Sequence, residues 1–384
     1  METRQQLEQL ERDTLSPYAA LSAETRGRDY PVSPCEMRTE YQRDRDRVIH
    51  CAAFRKLEYK TQVYVIHEGD YYRTRLTHTM EVAQIARTLA RSLRLNQDLA
   101  EAVALAHDLG HTPFGHSGET VLQRLLKDHG GFEHNRQGIR VVELLEERYE
   151  AFPGLNLTWE VREGIAKHTT SYDSPRIERF DPQLAPPLEA QLVDVADEIA
   201  YNQHDLDDAM KMGLILRKDL EQVPWLDEMC RELVDSSAPA GEPLEGFRRY
   251  RLIGALIDQA VRDALVFTTE NIGKAGVDSL DAVRRHSSGG RLVGFSPAMR
   301  ERNTQMRAFL MENVYRHPHV VRMVIKGEQF IERLYHLYHS NPRQLPFRHQ
   351  KRIPEHGLER VIGDYISGMT DRYCLEEYKR AFMP

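Results

Sequence analysis

Apolar residues along most of this chain recur at three- and four-residue steps, the spacing of one helix face. Between His78 and Leu95 they fall at Val82, Ile85, Ala86, Leu89, Ala90 and Leu93, and Asn96 supplies a stop. A second run puts Leu99, Ala102, Val103, Ala106 and Leu109 on one face and ends at Gly110. Further helical runs carry Ile139, Val142 and Leu145, then Val161 and Ile165, then Leu188, Leu192, Val195, Ala196 and Ile199. Strand-type alternation is scarce. KTQVYVIHEG (60–69) predicts one short extended piece, extending to a hairpin with Asp70 and the tyrosines after it. The pattern predicts a mainly α fold, a helical bundle with additional C-terminal helices.

Residues 1–45 are polar and interrupted by Pro31 and Pro34, which reads as a short helix followed by an irregular arm; from Asp46 the helical period takes over. SSAPAGEPLEG (236–246) and the stretch 286–303, with Ser-Ser-Gly-Gly and Pro297, read as loops. The expected division is an N-terminal arm (1–45), a core (46–235) and a C-terminal helical region (236–384) that contributes to the substrate site and to oligomer contacts. No repeat of 20–50 residues is evident.

Composition narrows the class. With 384 residues, 41% hydrophobic and 29% charged, the chain is globular and not disordered. A net charge of −7 excludes a chain-wide nucleic-acid coat but leaves room for a local basic groove. No apolar run approaches the ~18 residues that span a bilayer. The opening METRQQLEQLERD has no apolar core of a secretory leader. Cys35, Cys51, Cys230 and Cys374 are scattered without a C-x-x-C pair, which predicts a reducing compartment, cytoplasmic by default, and no thiolate zinc site.

Seven of the 17 histidines (His67, His78, His107, His111, His116, His129, His134) fall between residues 67 and 134, where even spreading gives about three. Each alone reads as a surface or capping residue; the cluster raises a metal site. His107-Asp108 closes an otherwise apolar helix, AEAVALAHDLG, where a carboxylate is costly unless paired or metal-bound. His78 opens the preceding helix and Asp197 sits on a later one, so a mixed nitrogen/oxygen site is expected. In GHTPFGHSGET, Glu119 lies three residues after His116; it either supports that histidine as a proton donor or, with Ser117, caps a helix. Asp197, Tyr201 and Asp205 share one helix stripe beside the apolar one. Arg75, three residues before His78, can grip a phosphate beside the metal. Walker A, G-x-G-x-x-G and G-x-S-x-G motifs do not occur.

The order His78, His107-Asp108, Asp197 resembles the HD superfamily of metal-dependent phosphohydrolases. FRKLEYKTQV (54–63), HDLGHTPFGHSGE (107–119), GGFEHNRQG (130–138) and ADEIAYNQHDLDD (196–208) are similar to the deoxynucleoside triphosphate triphosphohydrolases, specifically the bacterial deoxyguanosinetriphosphate triphosphohydrolase-like branch. The motifs cover about 50–210; MRAFLMENVYRHPHV (306–320) matches more loosely. The resemblance implies hydrolysis of a dNTP, dGTP or several, to deoxynucleoside and inorganic triphosphate. It implies a divalent metal (Mn, Mg, Co, Fe or Ni) on His78, His107, Asp108 and Asp197, the last in preference to Asp194. His116 becomes the catalytic histidine with Glu119 behind it, and His111 a phosphate-side candidate. Gln62 falls near sugar or base, Arg75 on phosphate, and Tyr201 and Asp205 near the deoxyribose, with Arg307 and Tyr315 as further substrate contacts. Implied partners are the dNTP substrate, a dNTP allosteric activator, single-stranded DNA and further copies of the chain, a hexamer being favoured. Two alternatives stand beside it. One is another HD nucleotide phosphohydrolase. The other is a non-catalytic dNTP or single-stranded-DNA sensor, to which the basic, Phe347-containing RQLPFRHQKR (343–352) would contribute.

Overall fold

The computed structural model describes residues 2–62, 73–169, 177, 179–233, 241–286 and 291–383. Within them the regular structure is almost wholly helical, and the mainly α expectation holds. The predicted extended piece mostly lies outside the described residues, as do His67 and the tyrosines after Asp70. Its described remnant is a single antiparallel bridge between Thr61 and Thr74. Among the described residues no helix is long and apolar enough to cross a membrane.

Caps set several boundaries that periodicity placed elsewhere. The helix expected from His78 starts at Arg75, because Thr74 accepts from Thr77 in a capping box, an arrangement worth about 1 kcal/mol. It stops at Ser92, with Arg94 at φ 55° turning the chain. Asn96 does not end that helix; it caps the next one, Gln97–Ala106, accepting from the amides of Asp98 and Leu99. The period attributed to Asp46 onward begins at Glu40, where Thr39 makes another capping box. Pro297 does not sit in a loop. It is the first residue of helix Pro297–Leu310, where its missing N–H costs nothing, and Ser296 caps it while held by Asp263.

The main core packs helices Arg75–Ser92, Gln97–Ala106 and Leu188–Lys211 against one another, flanked by Glu40–Ile49 and Trp159–Ala166. Leu89, Leu99, Val103 and Ile165 are fully enclosed, each worth roughly 1.5–3 kcal/mol of burial. Ala19, Ala20 and Tyr41 from the N-terminal arm join this core. Buried Glu189 ties the arm down by accepting from the amides of Ala20 and Asn96.

Helix Leu188–Lys211 runs out of this core into a second one. Its first half buries Leu192, Val195 and Ile199 in the main cluster. Its last turns bury Leu206, Ala209 and Met210 against Leu220, Leu226, Leu252 and Leu310. Asp197 and Asp205 ride on the stretch between. A third cluster packs helix Gly115–Leu125 on the C-terminal helices Pro318–Ser340, Leu358–Ser367 and Asp371–Phe382. The last third of the chain therefore forms one wall around the helix that carries His116.

Candidate active site

The end of helix Gln97–Ala106 sets the geometry. His107 Nδ1 lies 2.6 Å from the Ala104 carbonyl, so this nitrogen carries the proton and donates. Its Nε2 is then a buried lone pair with no hydrogen-bond partner. From the neighbouring helices His78 and Asp197 converge on it, their ligand atoms all within 4.8 Å of one another. His78 Nε2 is 2.9 Å from Asp197 Oδ1, and Asp108 Oδ1 is 3.4 Å from His107 Nε2. The four residues singled out as ligands thus stand together. A buried imidazole lone pair facing two carboxylates fits a divalent cation and fits little else.

The charges agree with that reading. Burial opposes ionisation of Asp197, but hydrogen bonds from His168 and His78 outweigh it and hold its carboxyl well below the usual range. Burial likewise opposes Asp108, and His107, Arg75 and His111 overcome it. Burial holds His107 below its ordinary value. Asp194, the alternative to Asp197, pairs with His168 Nδ1 at 2.6 Å and with Arg291.

A second group lies beside the first. Helix Gly115–Leu125 has no side-chain cap, and Ser117 donates to the Phe114 carbonyl, so the capping reading of Ser117 and Glu119 fails. Glu119 instead accepts from the His134 amide at 2.7 Å and faces His134 Nδ1 at 3.1 Å and His116 Nδ1 at 3.7 Å. Burial would raise the Glu119 carboxyl, but the bonds from His116 and His134 dominate and keep it ionised. His111 stacks on His134 with ring centres 4.0 Å apart and places Nε2 3.0 Å from Asp108 Oδ1. Burial, Arg75 and His134 all hold His111 far below its ordinary value, so it is neutral and orients Asp108. His134 was legible only as one histidine of a cluster.

The two groups are joined by backbone. A Cβ on Gly110 would lie 1.9 Å from the His134 carbonyl and 2.3 Å from the Gly138 amide, so only glycine lets the His107–Gly110 turn meet helix His134–Arg140. Arg75 bridges the side chains, its Nη1 3.0 Å from Asp108 Oδ2.

Both groups open on one cavity of about 760 Å³. Gln62, Arg75, His116, Tyr201, Arg307 and Tyr315 line it together with His78, Asp108 and Asp197. Val293, Phe295, Val320 and Val324 make its apolar wall. Tyr315 donates to Asp205 and stacks at 6.4 Å on Tyr201. Burial pushes Asp205 up to about 7, against the hydrogen bond from Tyr315. Arg307 is held by Glu198 at 2.5 Å. Stretch 343–352 lies away from this cavity, with Phe347 81% exposed.

The chain is similar to known proteins over nearly its whole length. Residues 75–202 match the HD domain and residues 293–380 the phosphohydrolase-associated domain. A deoxyguanosinetriphosphate triphosphohydrolase-like protein of Geobacter metallireducens is 52% identical over 377 residues, covering 97% of this chain and 96% of the relative. The protein of that description from Geobacter sulfurreducens is also 52% identical, covering 98% and 97%. That from Ralstonia nicotianae is 50% identical over 374 residues, covering 96% and 94%. With its mainly helical HD bundle and this similarity over nearly the whole chain, the protein belongs to the HD superfamily, in the deoxyguanosinetriphosphate triphosphohydrolase-like family.

Proposed function

We propose that this protein hydrolyses deoxynucleoside triphosphates, dGTP or several dNTPs, to deoxynucleoside and inorganic triphosphate with a divalent metal. The observation that carries the reading is the opening of two groups on one cavity: a cation cluster of His78, His107, Asp108 and Asp197, and a proton-handling group of His116, Glu119 and His134. A bound Mn, Mg, Co, Fe or Ni ion supplies Lewis-acid polarisation of the α-phosphoryl group and activation of water.

The residues of the chain do the rest. Water adds to the α-phosphorus and the bond to the 5′ oxygen breaks. Arg75, aimed by Asp108, meets the charge that grows on the transferring group. His116 protonates the leaving 5′ oxygen, and Glu119 orients its ring. His134 holds Glu119 in place. His111 serves by orienting Asp108. Tyr201 and Tyr315 form the sugar wall, with Asp205 behind them accepting from Tyr315, and close aromatic packing at C2′ leaves no room for a ribose hydroxyl. Gln62 and Arg307 reach the nucleotide from either side of the cavity. The same reading carries an oligomer, hexameric by preference, a dNTP activator and single-stranded DNA as partners.

The test is product analysis. The protein is incubated with Mn²⁺, Mg²⁺ or Co²⁺ and each dNTP, singly and mixed. Intact triphosphate with deoxynucleoside supports the reading; orthophosphate or pyrophosphate places the chain with other HD phosphohydrolases. His116→Ala is expected to lose ~10²–10⁴-fold in turnover, the range of a positioned general acid. Its Mn²⁺ affinity, read by calorimetry, should not change.

A further inference from the structure

Buried connections beside the cavity also involve residues not assigned above. They run to the last helix of the chain. Asp371, its first residue, is 3% exposed. One carboxylate oxygen accepts from the Phe114 amide at 3.0 Å. The other accepts from the Thr61 amide at 3.0 Å and from the Thr61 hydroxyl.

These partners lie on the two segments that flank the reacting group. Thr61 precedes Gln62 and bridges Thr74, and the Arg75 amide donates to the Lys60 carbonyl at 3.1 Å. Phe114 precedes Gly115 and His116. It adopts φ 60°, ψ 24°, a left-handed conformation that a bulky residue keeps only when its surroundings enforce it. Lys60 adds a parallel tie, donating from its buried ammonium to the His111 carbonyl and, at 2.9 Å, to the Ser367 carbonyl.

We propose that Asp371 is a positioning residue: its carboxylate fixes the paired ends Thr61–Gln62 and Thr74–Arg75 and the turn before His116 to each other, so that phosphate grip and proton donor face the same substrate. This rests on the hydrolase reading. Asp371 itself touches neither His116 nor Arg75, and it is not among the residues that line the cavity. Its effect passes through backbone, from a helix more than 250 residues further along the chain than the turn it holds. The wall built by the C-terminal helices is thereby a part of the site's geometry and not merely its cover.

The experiment compares Asp371→Ala, Asp371→Asn and Thr61→Val with the parent chain, all full length. Turnover is measured with Mn²⁺ and the preferred dNTP. Affinity for Mn²⁺ alone is measured by calorimetry, and amide hydrogen exchange is followed across 109–118 in metal-free protein. Asp371→Ala should lower kcat ~10- to 100-fold, as sub-ångström misplacement does, with KM changed less than about threefold. Mn²⁺ affinity should stay within about twofold, because His78, His107 and Asp197 are untouched. Exchange across 109–118 should quicken about tenfold or more as the turn loses its tie. Thr61→Val keeps the Thr61 amide bond and should fall between Asp371→Ala and the parent, as should Asp371→Asn. These two carry the test if Asp371→Ala does not fold. A variant that has lost thermal stability yet keeps parental kcat and parental exchange in 109–118 would overturn the proposal, since that is what a helix anchor alone produces. Failure of the hydrolase reading is distinguishable. It shows as a parent chain that releases no triphosphate, while the exchange comparison, which needs no substrate, still decides whether Asp371 holds the turn.

Discussion

Asp197 and Asp205 lie two turns apart on helix Leu188–Lys211, in surroundings that differ in one respect. Asp197 faces two imidazoles, His78 and His168, and is held ionised. Asp205 faces a phenol, Tyr315, and burial pushes it up to about 7. Both pay a desolvation cost; the neighbours decide the outcome. A neutral hydroxyl supplies one hydrogen bond, whereas histidines that can share a cation or carry a proton also supply charge. The helix thus carries a fixed anion at one level and a carboxyl close to its titration point two turns on. The first suits a cation; the second stands behind the cavity wall, in contact with it through Tyr315.

The largest way to break the contrast is Asp197→Ala. It should weaken Mn²⁺ binding by more than the ~100-fold that loss of a mere supporting partner costs a metal site, with turnover falling in step. Calorimetry with metal alone and product assays read both. If Mn²⁺ still binds as tightly, the cluster is not the cation site.

Asp205→Asn should act in the opposite sense on stability. Unfolded, an aspartate ionises near pH 4; folded, Asp205 keeps its proton to about 7. Over that window the native state holds the extra proton, so stability falls as pH rises through it and levels off above the folded value. Asparagine removes the penalty while still accepting from Tyr315. The variant should be more stable than the parent by roughly 4 kcal/mol at pH 8 and close to it at pH 4. Urea unfolding at the two pH values measures this. A variant less stable than the parent at pH 8 would contradict the placement of Asp205 among protonated groups.

Tyr315→Phe gives the smallest effect. The hydroxyl is the largest influence lowering Asp205, ahead of His78 and Arg73, so its loss should move the Asp205 midpoint upward. Carbon-detected NMR of the aspartate carboxyls would register it. An unchanged midpoint would mean that the hydroxyl does not reach the carboxylate in solution.

Much of this helix was legible in the sequence. Asp197, Tyr201 and Asp205 share a stripe because the helical period puts them there, and His107-Asp108 stood out because an apolar helix has no ordinary use for a charge at its end. The mainly α fold followed from the same period. What escaped was non-local. Nothing near His134 announces that its amide and ring both hold Glu119. Lys60 and Asp371 look like ordinary surface charges until the chain closes on itself, 310 positions apart in the case of Thr61 and Asp371. Pro297 misled as a loop signal because proline marks a helix start as well as a chain break. Boundaries drifted by a turn wherever a threonine cap, invisible to hydrophobic period, set the start.

The glycine seam between the His107–Gly110 turn and helix His134–Arg140 has a further meaning. With main chain against main chain at that point, the spacing between the turn that carries His107 and Asp108 and the helix that carries His134 is set by backbone and not by side chains there. On the proposed reading that spacing is a fixed gauge between metal and proton donor, and variation in what the protein accepts falls on the cavity wall of Val293, Phe295, Val320 and Val324.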